Sequence, residues 1–176
     1  MAGISSVELG LIGCIEMTLT EAAKKLAGNG SNKDWTRECL KALAGLGMDI
    51  GYGACPDPAN IKGEWLYDLI WYKEEKRSGL NLMTDVVLAL ESEWSTYFED
   101  IRYDFQKLVQ AKSRLKMLIS QELTKEEFAM LKQDIECFHG KDESEIYIFA
   151  MWVGHKDKDH PFRYKKHRSG KEGAKE

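Results

Sequence analysis

The sequence has few cysteines and no long apolar run. There are four cysteines in 176 residues, no two of them form a CxxC pair, and a zinc site of the usual spacing is therefore not expected. Scattered cysteines are typical of a reducing compartment. No apolar run approaches the roughly 20 residues that span a bilayer. The first residues, MAGISSVELGLIGCIEM, lack the basic start of a secretory signal. We therefore expect a cytoplasmic protein with no membrane association.

Several common catalytic signatures are also missing. The sequence contains no P-loop and no GxGxxG, and its Ser, His and Asp residues do not follow a triad order. Hydrophobic residues make up 43% of the chain and charged residues 31%, which is typical of a globular protein able to bury its own core. The net charge of -4 argues against a general nucleic-acid coat protein.

The negative charge is not uniform, because the C-terminal end is basic. Residues 155–171 contain seven Lys or Arg and only two Asp. Such a segment can contact phosphate, here through Lys165, Lys166 and Arg168. The alternative is an ordinary solvated chain end.

Hydrophobic periodicity predicts alternating helices and strands. Helices are expected at 18–28, 33–47, 96–112 and 124–140, and strands at 48–55, 64–73, 82–92, 113–120, 143–154 and 160–168. The patterns Thr18-x-x-Glu21 and Thr124-x-x-Glu127 predict capping boxes at two helix starts. The order predicts an α/β protein with a mixed β-sheet flanked by helices. We divide it into an N-terminal helical extension (1–30), an α/β domain (31–155) and a basic C-terminal strand or tail (156–176).

The stretch VVLALESEW, residues 86–94, carries the strongest functional signal. It could form a helix by propensity, but Val86 and Val87 favour a strand. Side chains alternate along a strand, so Glu91 and Glu93 lie on one face, where Asp68 of the preceding strand can meet them. Gathered carboxylates repel one another, and a divalent cation offsets that cost. We therefore expect Mg²⁺ or Mn²⁺ at this position.

An Asp on one strand followed by Glu-x at the end of the next resembles the PD-(D/E)XK nuclease superfamily, over roughly residues 33–120. The resemblance implies a restriction-endonuclease-like αβββαβ core and Mg²⁺-dependent hydrolysis of phosphodiesters in DNA or RNA. It also implies that Asp68 and Glu91 are the motif acids, and that Glu38 is the glutamate that many members add from the first helix.

One position departs from that pattern, because Glu93 occupies the place of the motif lysine. A lysine from the following helix can replace it, and we prefer Lys107 to Lys112. Glu93 would then be a further metal ligand. The alternative is a catalytically inactive fold that binds a protein or nucleic acid, in which Asp68 pairs with Arg102 or Lys107 for structure. Nothing in the sequence marks a dimer surface, so a homodimer stays open.

Overall fold

The computed structural model describes residues 5–26, 30–61, 66–154 and 156–170. In chain order its elements are α1 (Ser6–Leu26), α2 (Asn32–Asp49), β1 (Gly53–Cys55), β2 (Leu69–Arg77), β3 (Leu80–Glu93), α3 (Phe98–Gln110), β4 (Ser113–Gln121), α4 (Lys125–Cys137), β5 (Ile146–Trp152) and β6 (Phe162–Arg168). The α/β class predicted from the sequence is confirmed. No helix within these ranges has both the length and the apolar content needed to cross a membrane.

The six strands form one mixed sheet in the order β1-β2-β3-β4-β5-β6. The first three strands pair antiparallel, β3, β4 and β5 pair parallel, and β6 returns antiparallel at the edge. Helices α3 and α4 make the two crossovers that parallel neighbours require. The carboxyl ends of β3, β4 and β5 therefore lie at the same edge of the sheet.

Helices cover both faces of the sheet, and each face has its own core. On one face, α1 and α2 pack Ile12 and Leu43 against Trp71 and Leu90. On the other face, the α3 and α4 residues pack around Phe105 against β4 and β5. Because α1 buries apolar residues in the same core as α2, the segment expected as an extension packs as part of the main body.

The β2–β3 hairpin was predicted, but its turn is shorter than the expected residues 74–81, because both strands extend into that segment. Strand β2 runs through the charged residues 74–77, which the pattern predicted to lie in the turn. The turn is the pair Ser78–Gly79, with φ values of 50° and 82°. Two positive φ values in a two-residue loop match the twist of the flanking strands, and glycine adopts them without strain. Charged side chains continue the strand here because both faces of this distal part are exposed.

One predicted capping box is confirmed and the other is wrong. The Thr124 side chain accepts a hydrogen bond from the backbone N–H of Glu127, and the Glu127 carboxylate accepts one from the backbone N–H of Thr124. Thr18 instead lies inside α1, which begins twelve residues earlier. The same type of reciprocal bonding joins Ser5 and Glu8 at the actual start of that helix.

Candidate active site at the end of strand β3

The start of β2 meets the end of β3, and this pairing brings two predicted site residues together. Leu69 pairs with Leu90, so Asp68 and Glu91 are the next opposed positions of the antiparallel ladder. The backbone N–H of Ser92 donates to Oδ2 of Asp68 at 2.7 Å, which fixes the aspartate against the end of β3. The strand conformation predicted for VVLALESEW is confirmed.

Glu91 is a buried carboxyl group with an incomplete set of partners. Its relative exposure is 2%. Its Oε2 lies 3.6 Å from Nζ of Lys107, whereas its buried Oε1 has no hydrogen-bond partner among the described residues. Burial, and then the negative charge of Asp68, raise the pKa of Glu91 to about 8, against the opposing effect of Lys107. Glu91 therefore keeps its proton to a higher pH than an ordinary glutamate does.

Lys107 reaches Glu91 from the last turn of α3, on the helix face that covers this part of the sheet. Its Nζ lies 2.6 Å from Oδ1 of Asp104 and 5.7 Å from the centre of the exposed Tyr103 ring. Partial burial alone would lower the pKa of Lys107, but the hydrogen bond to Asp104 and the charges of Glu91, Asp104 and Asp68 raise it. The lysine is therefore charged beside the buried carboxyl group.

Tyr67 belongs to the same surroundings, and the sequence patterns did not single it out. It packs against the core on the α3–α4 face, and burial together with the charge of Glu91 raises the pKa of its hydroxyl. Its position next to Asp68 is the only sequence signal that could have found it. Arg102, one of the partners considered for Asp68, instead forms a two-pronged ion pair with Asp134.

The structure does not bring the remaining predicted acids into this group. Glu93 uses Oε1 to accept the backbone N–H of Ser95 at 2.6 Å, just beyond the end of β3. Glu38 lines a groove between α1 and α2, whereas Asp68 lines a separate groove on the other side of α2. In the part of the chain that the structure describes, no group of three or more His, Cys, Asp or Glu side chains could hold a metal ion.

Lys112, the second lysine considered, immediately precedes β4, at the end of that strand opposite to Glu91. It lines a groove with Ser144 and Glu145, near the amino ends of β4 and β5. Glu91 lies at the opposite end of the sheet, beside the carboxyl end of β4. Of the two lysines, the structure therefore places only Lys107 beside the buried carboxyl group.

The three basic residues expected to bind nucleic acid do not form one patch. Nζ of Lys165 lies 4.1 Å from the centre of the Phe128 ring on α4. Lys166 points to the other face, where its Nζ lies 2.8 Å from Glu16 of α1. Arg168 donates from Nε to the carbonyl oxygen of Glu143. Because side chains alternate along β6, these cations are divided between the two faces of the sheet.

A second buried polar cluster lies near the other end of the sheet, and the sequence did not reveal it. Nζ of Lys116 lies 2.9 Å from Oε1 of Glu145 and bonds the Tyr147 hydroxyl and the carbonyl oxygen of Val109. The Tyr147 hydroxyl donates to Oε2 of Glu145. The cluster is closed on itself, so we assign it a structural role.

Comparison with known proteins finds no relative of this chain. No protein-family model matches the chain, and neither the curated proteins nor the solved structures include one that matches it significantly. The functional argument therefore depends on the residues themselves.

Proposed function

We propose that the chain is a divalent-metal-dependent phosphodiesterase that acts on nucleic acid, with Asp68, Glu91 and Lys107 as its catalytic residues. The observation that carries the proposal is the unpartnered Oε1 of Glu91, buried beside a second carboxylate and a lysine. A buried polar atom without a partner costs stability, and such atoms cluster at functional sites.

The residues present fit a Mg²⁺ or Mn²⁺ ion. Mg²⁺ commonly takes one or two protein carboxylates and completes its shell with water and phosphate oxygens, so Asp68 and Glu91 suffice. Oε1 of Glu91 would gain the partner that it lacks among the described residues. An ion held there would polarise a phosphate and lower the pKa of a bound water. Glu38 and Glu93 are not needed as ligands in this arrangement.

Each of the three side chains has a distinct role. Asp68, fixed by the N–H of Ser92, presents a carboxylate of set orientation. Glu91 would lose its proton on binding a cation, because a bound positive charge opposes the burial and the charge of Asp68 that raise its pKa. Lys107 keeps its charge and stabilises the negative charge that develops on the phosphate.

The order of elements also supports the proposal. Helix α2, strands β1 to β3, helix α3 and strand β4 follow one another in the order αβββαβ, with β4 parallel to β3. This is the order implied by the resemblance to the PD-(D/E)XK superfamily. A restriction-endonuclease-like core remains part of the proposal, as does the nucleic-acid substrate.

A catalytically inactive fold that binds a partner is the second candidate. It is favoured by the positions of Glu93, which bonds the Ser95 N–H, and of Glu38, which lines another groove. In this case Asp68, Glu91 and Lys107 form a structural charge cluster. This candidate predicts that divalent cations leave the stability unchanged.

Thermal unfolding with Mg²⁺, Mn²⁺ or EDTA separates the two candidates. We compare the wild type with Glu91→Gln and Asp68→Asn, and use Glu93→Gln as the matched control. A true site adds roughly 2.7 kcal/mol at a metal concentration 100 times Kd. We expect this gain in the wild type and the control, and its loss in the other two variants. No gain in any protein would favour the inactive fold, and cleavage of labelled DNA and RNA strands then tests catalysis directly.

A further inference from the structure

A groove adjoins Asp68 on the side of α2, and the roles proposed above do not use it. Its volume is about 300 Å³. It is lined by Lys33, Thr36, Arg37, Leu40, Pro56, Ile61 and Asp68. The lining therefore combines basic and polar side chains with apolar ones, and it includes the proposed catalytic aspartate.

The two cationic side chains that line the groove, Lys33 and Arg37, differ in their ion pairing. Arg37 is already paired, with its guanidinium 3.1 Å from Asp34 and 3.5 Å from Glu38. Lys33 lies in the first turn of α2, is exposed, and makes no ion pair with any residue that the structure describes. Its ammonium group is thus the cation of this groove that can take up an external anion.

We propose that this groove binds one nucleotide of an unpaired nucleic-acid strand, with Lys33 contacting the phosphate next to the one that lies at Asp68 and Glu91. The inference rests on the proposed function and specifies its substrate. Leu40, Pro56 and Ile61 offer an apolar surface to the sugar and base. A basic groove that follows the backbone is one part of the usual arrangement for single-stranded nucleic acid, and here aliphatic rather than aromatic side chains would face the base.

The size of the groove favours a single strand over a duplex. A volume of 300 Å³ is at the lower end for ligand sites, so it holds one small unit of a polymer. A duplex would have to insert two paired strands whose bases face each other. An unpaired strand can instead direct one base into the groove while its backbone follows the rim past Lys33.

Charge reversal of Lys33 tests the inference, and α2 offers a matched control. Lys41 is also exposed, lies on the same helix and makes no ion pair with a described residue, but it lines the α1–α2 groove. Lys33→Glu and Lys41→Glu change the net charge by the same two units. An acidic residue in the first turn of a helix is compatible with the helix dipole, so Lys33→Glu should fold. Thermal unfolding checks both variants.

Binding of labelled single-stranded and duplex oligonucleotides is measured with Mg²⁺ and with EDTA, over a series of salt concentrations. We expect Lys33→Glu to weaken single-strand binding about fivefold or more at low salt. The slope of log affinity against log salt should fall in magnitude by about 0.7, the value for one phosphate contact in a single strand. Lys41→Glu should change neither quantity beyond the small effect of net charge.

Three results would overturn the inference: equal weakening by the two variants, tighter binding of the duplex, or no binding of the single strand by the wild type. Each is distinct from failure of the proposed function, which is judged by the metal-dependent stability of Asp68→Asn and Glu91→Gln. If the metal stabilises the wild type but Lys33→Glu binds the single strand as the wild type does, the proposed function stands and only the substrate inferred here is wrong.

Discussion

Nζ of Lys107 lies 2.6 Å from Asp104 but 3.6 Å from Glu91, so the lysine bonds more closely to the carboxylate on its own helix than to the buried one on the sheet. Oxygen and nitrogen at 2.6 Å form a short charge-assisted hydrogen bond, whereas 3.6 Å is beyond normal hydrogen-bond length. Asp104 thus partly neutralises the cation that would otherwise stabilise ionised Glu91. Because Lys107 is shared with Asp104, it lowers the pKa of Glu91 by less than burial raises it.

The first prediction concerns the pH dependence of stability. In the folded state the pKa of Glu91 is raised to about 8 from its ordinary value of 4.5. Between these values the folded state binds a proton that the unfolded state has released, so the free energy of unfolding falls as pH rises. The slope reaches about 1.4 kcal/mol per pH unit. Urea unfolding between pH ~5 and ~8 should show this decline in the wild type and a much smaller one in Glu91→Gln.

The control for this measurement is Glu93→Gln. Glu93 is on the same strand, but its carboxylate accepts the Ser95 N–H just beyond the end of that strand. This variant should therefore keep the decline of the wild type. Parallel profiles for the wild type and Glu91→Gln would contradict a raised pKa at Glu91.

The second prediction separates the two lysines considered for catalysis. Lys107→Met removes the cation that lowers the pKa of Glu91, so the midpoint of the Glu91-dependent stability change should move to higher pH. If the chain hydrolyses phosphodiesters, the rate should fall about 10²–10³-fold, as for loss of one stabilising group in a transition state. Lys112→Met is the control, because Lys112 lines a groove at the other end of β4. Equal effects of the two substitutions would exclude a specific role for Lys107.

The third prediction concerns the buried Lys116–Glu145 pair. Both side chains are at least nine-tenths buried, and burial lowers the pKa of Lys116. Lys116→Met leaves a buried carboxylate without its counter-charge and should cost about 3–5 kcal/mol. The double variant Lys116→Met/Glu145→Gln should recover part of that loss, giving a coupling free energy of about 0.5–3 kcal/mol. Urea unfolding of the four proteins of this cycle supplies the measurement, and additive effects would contradict coupling.

An exposed pair on the same protein provides the comparison. Nζ of Lys141 lies 2.7 Å from Glu136, and both side chains remain partly exposed. Because solvent screens such pairs, Lys141→Met should cost about 1 kcal/mol or less.

The proximity of Asp68 and Glu91 could be predicted from the pairing of β2 with β3. Leu69 pairs with Leu90 at the end of the hairpin, so Asp68, which immediately precedes β2, comes close enough to Glu91 for its charge to act on it. Strand alternation places Glu93 on the same face as Glu91. Glu93 lies at the last residue of β3, however, and there its carboxylate accepts a hydrogen bond from the backbone N–H of Ser95. Alternation predicts which face a side chain occupies, but it does not predict which backbone group beyond the strand will bind it.

The sequence also could not predict which neighbouring element the side chain of Glu38 faces, and the reason is different. The apolar face of α2 was predicted, but the helix has two polar flanks, and the sequence does not say which one adjoins Asp68. Packing of α1 along α2 decides this, since Glu38 faces α1 whereas Lys33 and Arg37 lie beside Asp68. The length of α1 was itself missed, because the start was assigned to Thr18.

The last prediction compares Thr18 and Thr124, both of which the sequence predicted to be the first residue of a capping box. Thr124→Ala removes the hydroxyl that accepts the Glu127 N–H at the start of α4, and it should cost about 1 kcal/mol. Thr18 lies within α1 and caps nothing, while alanine is the better helix former at an interior position. Thr18→Ala should therefore leave the free energy of unfolding within about 0.5 kcal/mol of the wild type. Urea unfolding of both variants measures the difference, and a loss at Thr18 equal to that at Thr124 would show that α1 begins where the sequence pattern first placed it.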